Sequence, residues 1–80
     1  MELQDWSKEA KKLKLGKYIH YKGGEYEVIG ISRHTETLEE LVVYKSLYGD
    51  GGLWTRPLSM FIETTEVNGE TINRFEYVGN

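Results

Sequence analysis

The stretch Leu41 to Pro57, LVVYKSLYGDGGLWTRP, limits what this chain can fold into more than any other, because it sets the longest apolar run beside the strongest turn signal. Val42, Val43 and Tyr44 favour a pleated backbone, and Gly49, Asp50, Gly51 and Gly52 offer the positive φ angles that a reversal needs. Leu53, Trp54 and Thr55 then lead back, so the stretch predicts a β-hairpin. The flanking segments GKYIHYKGGEYEVIG and FIETTEVNGETINRFEYV are expected to extend or cover it.

Eighty residues suffice for one domain near the lower size limit for burying an adequate core. No cysteine is present, which excludes disulfides and thiolate metal sites and leaves packing alone to hold the chain. Six Tyr, two Trp and two Phe supply that packing. Net charge is −3, with six Lys against three acids in residues 1–22 and four basic residues against ten acids thereafter. An acidic body argues against bulk electrostatic binding to nucleic acid but not against a small local site. The opening stretch ELQDWSKEAKKLKLG contains no apolar run suited to a signal peptide or a membrane span, so the expectation is a soluble cytoplasmic protein with no membrane association.

Apolar residues Leu3, Trp6, Ala10 and Leu13 recur at helical spacing, which predicts a short helix over 3–14 with Asp5 or Ser7 as its cap. This gives a helical extension over residues 1–15 and a β domain over 16–80. The helix is expected as a lid over an open end of that domain. Lys17–Lys22 and Glu25–Arg33 flank Gly23-Gly24 as a second hairpin, and Gly30 inside the latter marks a bulge or bend. The polar stretch 34–40 reads as a connection into a third strand, about Leu41–Leu47. Pro57 shortens the fourth strand and leads into one turn of 3₁₀ helix. Phe61–Val67 and Thr71–Val78 flank Asn68-Gly69, the dipeptide best suited to a two-residue hairpin turn. The fold predicted is all-β: a small SH3-like antiparallel barrel of about six strands with a short N-terminal helix.

The motifs HYKG (20–23), YEVIG (26–30), VVY (42–44), LYGDGG (47–52), WTRP (54–57) and MF (60–61) together resemble a family of short bacterial domains of unknown function, DUF1653, over roughly residues 16–78. The resemblance implies an intact, independently folded bacterial domain and carries no assigned activity or ligand. Residues 1–15 fall outside its pattern.

No motif supports catalysis above background. His20, His34 and Glu36 invite a metal hypothesis but fall short of a spaced ligand set. GDGG lacks the GK[ST] of a phosphate loop, and Ser7, Ser32, Ser46 and Ser59 sit in no nucleophile elbow. No cofactor is called for. What remains is a group of rings and cations, Tyr18, His20, Lys22, Arg33, Tyr44, Tyr48, Trp54 and Arg56, of which Tyr44, Trp54 and Tyr18 are also core candidates. Such a set can stack on bases or grip a peptide. A guanidinium at position 56, beside Trp and Pro, needs either a carboxylate, with Glu36 and Asp50 the candidates, or a ligand. The reading is a non-catalytic binding module for a nucleotide, single-stranded nucleic acid or peptide, using Tyr18, His20, Lys22, Arg33, Tyr48, Trp54 and Arg56. The alternatives are a domain that docks on a partner protein and a small His/Glu metal-dependent enzyme.

Overall fold

A computed structural model describes residues 6–79. After a short helix α1 (Lys8–Lys12), strands β1 (Gly16–His20), β2 (Glu25–Arg33), β3 (Glu40–Ser46) and β4 (Leu53–Pro57) run as an antiparallel meander. One helical turn, α2 (Leu58–Phe61), leads to the hairpin β5 (Thr64–Val67) and β6 (Glu70–Asn73), and β7 (Phe75–Gly79) returns beside β1. The main sheet has the order β4-β3-β2-β1-β7, and β5-β6 form a separate two-stranded sheet.

The protein is thus mostly β and antiparallel, as the sequence predicts. The sheet, however, is not closed into a barrel, since β4 and β7 are its two edges. A second departure lies at Arg74. The run from Thr71 to Val78 predicts one strand, but the Arg74 amide donates to the Glu63 carbonyl while the Arg74 carbonyl accepts from the Tyr21 amide. The chain therefore leaves the small sheet and joins the large one at this residue, which splits the expected strand in two. Phe61, expected in a strand, instead ends the turn α2. Pro57 leads into that turn, and Leu58 and Phe61, three residues apart, point together into the core. The turn is α-helical where 3₁₀ is predicted.

The bulge expected at Gly30 is present: Val28 pairs with Tyr44 but Gly30 pairs with Val43, leaving Ile29 as the extra residue. One inserted residue reverses the alternation. Val28 before it and Ile31 after it both pack on the core, which no strict period of two would allow. The glycine-rich hairpin also forms, closed by the Ser46 amide on the Gly52 carbonyl, 3.1 Å. Only Gly49 and Gly51 take positive φ there, so Asp50 and Gly52 do not supply the conformation expected of them.

Tyr18, Val28, Val42, Tyr44, Leu58, Phe61 and Phe75 form the core, joined by Ala10 of α1. Phe61 and Phe75 stack at 4.2 Å with 11° between their planes, and Tyr18 meets Phe61 edge-on at 5.3 Å. Truncating a buried ring such as Phe61 typically costs about 3–5 kcal/mol, a large part of a small domain's stability. The helix is shorter than the periodicity predicts. Ser7 is its cap, and its Oγ accepts from the Ala10 amide at 3.1 Å. Leu3 and Asp5 lie outside the described residues.

Candidate ligand-binding rim

Residues paired directly across two antiparallel strands point to the same face. Trp54 pairs with Tyr44 and Arg56 with Val42, so both β4 side chains share the face that carries the core. His20 pairs with Phe75 on the other side of the same sheet, and Tyr18 pairs with both Tyr26 and Tyr77. Because β4 and β7 do not join, the concave face has an open seam, and the Arg56 guanidinium reaches across it to lie 5.4 Å from the centre of the Phe75 ring. Its Nε donates a long bond, 3.4 Å, to the Tyr44 hydroxyl.

The rim is built outward from Phe75. The His20 ring meets Phe75 edge-on at 4.8 Å and lies 4.6 Å from Tyr21. Tyr26 meets Phe75 at 5.8 Å and Tyr44 at 5.3 Å, and its hydroxyl shares a 2.7 Å hydrogen bond with that of Tyr48. That bond, followed by burial, pushes the Tyr26 phenol up to about 12. Burial, then the fields of Arg56, Arg74 and Lys22, hold the His20 imidazole below its ordinary value. Three cations thus act on one imidazole, each after burial in weight. His20 Nδ1 accepts from the Lys22 amide at 3.1 Å, so the neutral ring carries its proton on Nε2.

Arg56 has no carboxylate partner among the described residues, Glu36 and Asp50 included. Arg74 gives Nη2 to Glu63 at 3.1 Å, but its Nε is buried with no hydrogen-bond partner. Trp54 and Tyr48 are more than half exposed, at 57% and 56%. A large ring held open beside an unpaired guanidinium on the core-bearing face is uncommon in a core but suits stacking on a ligand.

The residues singled out from the sequence separate into three places. His20, Lys22, Tyr48, Trp54 and Arg56 lie along the seam and the loops at its end, although Lys22 is exposed and leans on Tyr21 with Nζ 5.7 Å from the ring centre. Tyr18 is buried, its hydroxyl donating to the Lys14 carbonyl at 2.7 Å, and Tyr44 is buried as well, both rings meeting Phe61. Of the three rings expected as core, then, Tyr18 and Tyr44 are core and Trp54 is not. Arg33 sits apart, stacked 3.8 Å from the Trp6 ring, where it also favours the ionised Glu40 carboxylate. Phe75, Tyr26 and Arg74 complete the rim and were not picked out by type or spacing; the Arg-Phe pair at 74–75 was hidden inside an apparently continuous strand.

His34 occupies the β2–β3 turn, where its Nδ1 accepts from the Glu36 and Thr37 amides. Among the described residues no three His, Cys, Asp or Glu side chains come together as a metal-holding group. A separate concavity of about 350 Å³ opens between α1 and the sheet, floored by Tyr18, Phe61, Phe75 and Tyr77 and edged by Lys12 and Lys14. It shares Phe75 with the rim but includes neither His20 nor Arg56. No described helix is long and apolar enough to cross a membrane.

No curated protein matches the chain. A crystal structure of a protein belonging to DUF1653 from Bordetella bronchiseptica superimposes with a TM-score of 0.81 at 39% identity, covering 88% of this chain and 92% of that one. The family model for DUF1653, described as a protein of unknown function, matches residues 16–77, which run from β1 into β7 and include every rim residue. The chain belongs to the DUF1653 family.

Proposed function

We propose that this domain, an SH3-like frame with one open seam, is a non-catalytic binding module that takes a small ligand combining a planar ring and an anionic group, a nucleotide being the best fit. The observation that carries this reading is Arg56, held over Phe75 with no carboxylate, two residues from the exposed Trp54 on the same face. The indole supplies a stacking surface and the guanidinium a charged donor. The acidic remainder of the chain favours a single nucleotide over a long polyanion, whose extended phosphates would meet carboxylates beyond the rim.

An NMR shift screen with mononucleotides, short oligonucleotides, peptides and metal ions tests this. Mononucleotides are expected to move the Trp54 indole and the Arg56 Nε–H signals; a response to peptides alone would replace the ligand class, and silence at Trp54 would sink the reading. Arg56→Ala is expected to abolish the response while costing about 0.5–1.5 kcal/mol, the worth of its bond to Tyr44. A loss of about 3 kcal/mol or more in a thermal melt would instead assign Arg56 a structural role.

A second reading draws on Leu47, Tyr48, Leu53 and Trp54, all exposed around the glycine loop. Such an apolar tip suits docking on a partner protein.

A further inference from the structure

The rim assembles more positive charge than a stacking platform needs. His20 of β1 and Arg56 of β4 both lie against the Phe75 ring, at 4.8 and 5.4 Å, and Arg74 precedes Phe75 at the junction before β7, near enough for its charge to act on His20. Arg56 has no carboxylate, the Arg74 Nε is buried without a hydrogen-bond partner, and the proton on His20 Nε2 has no acceptor among the described residues. Lys22 adds to the field at His20, and the carboxylate engaged here is that of Glu63, bound to Arg74 through Nη2. Tyr21, Tyr26 and Tyr44 complete the surroundings, Tyr21 against His20 and the other two against Phe75.

We infer that Arg56, Arg74 and His20 form a seat for a terminal phosphate, so that the ligand class of the rim is a phosphomonoester, such as a nucleoside monophosphate with its base toward Trp54. This rests on the reading of the rim as a binding site. A carboxylate would be satisfied by one guanidinium in a two-pronged pair and leave the other donors unused. A phosphodiester offers only two free oxygens. A phosphomonoester offers three, with nearly two negative charges at neutral pH, which matches three donors carried on three separate segments.

His20 supplies the readout. The cations that surround it disfavour a further positive charge on its ring, and a bound dianion reverses that bias. Titrating the His20 imidazole by NMR at constant ionic strength, with and without inorganic phosphate, is expected to show its pKa raised by phosphate, while that of His34, in the exposed β2–β3 turn, stays unchanged. Adenosine 5′-monophosphate should do the same and move the Trp54 indole. Adenosine and the cyclic 3′,5′-diester should bind at least about tenfold more weakly, the factor expected for losing one charge-assisted bond. Arg56→Gln and Arg74→Gln should each remove the rise at His20; should Arg74→Gln unfold the chain by freeing Glu63, Arg56→Gln and the ligand series still decide the matter.

Equal rises at both histidines, or none at His20, overturn the phosphate seat as an adventitious or absent interaction. Adenosine binding as well as its monophosphate, with Trp54 moving and His20 silent, overturns the seat but leaves the stacking reading. Phosphate raising His20 while no nucleoside or nucleotide moves Trp54 supports the seat and overturns the nucleotide reading.

Discussion

At the scale of single residues, the side chains that give this domain its character are those whose partners are far away in sequence. Ser7 caps α1 and also gives its amide and hydroxyl to Glu40, at 2.8 and 2.6 Å. The two bonds hold the Glu40 carboxyl below its ordinary value, the hydroxyl contributing most. A carboxyl with a depressed folded value contributes stability that is complete above its unfolded value and is lost as pH falls through the folded one. Ser7→Ala is therefore expected to lower the melting temperature at neutral pH, with a capping loss of about 0.5–2 kcal/mol. The gap from wild type should narrow in acid as Glu40 protonates; a gap independent of pH across that range would show that capping alone is involved. The cap was legible in the sequence, but the bonds from Ser7 to Glu40 were not. A serine before KEA announces a cap, but a glutamate 33 positions away in a polar connection announces nothing.

At the scale of elements, hairpins were readable where a turn dipeptide dictates the backbone and unreadable where the chain changes sheets. Asn68 and Gly69 both take positive φ, +53° and +80°, the arrangement that a type I′ turn requires. Gly69→Val forces a β-branched residue into that region, at a cost of about 1–2 kcal/mol, whereas Asn68→Gly should be nearly neutral. Since β5 and β6 form their own small sheet with mostly exposed side chains, the damage should appear first as faster amide exchange over Thr64–Asn73. Unchanged exchange there would remove the turn assignment. By contrast, nothing in TINRFEYV marks Arg74 as a junction. Its backbone role follows from where Glu63 and Tyr21 lie, and its apparent continuity is that of a chain with strand propensity on both sides.

At the scale of the whole molecule, the family's pattern begins at residue 16, while the segment before it still docks on the sheet through Trp6 on Arg33, buried Ala10 and Leu13 against the core. Removing residues 1–14 is expected to leave a folded domain weakened by about 1–3 kcal/mol, the worth of one or two large side chains, and its NMR spectrum should stay dispersed. A collapsed spectrum would show that the helical segment belongs to the fold. For this chain the sequence alone determined the β character, the positions of three of the hairpin turns and the bulge, because glycine placement and β-branching act locally on the backbone. Only the tertiary structure decided that the sheet stays open, that Trp54 is exposed while Tyr18 and Tyr44 are buried, that Arg33 stacks on Trp6, and that Arg56 lies over Phe75. Those outcomes depend on which strands become edges and on what lies across the gap between them, and a linear pattern holds no record of either.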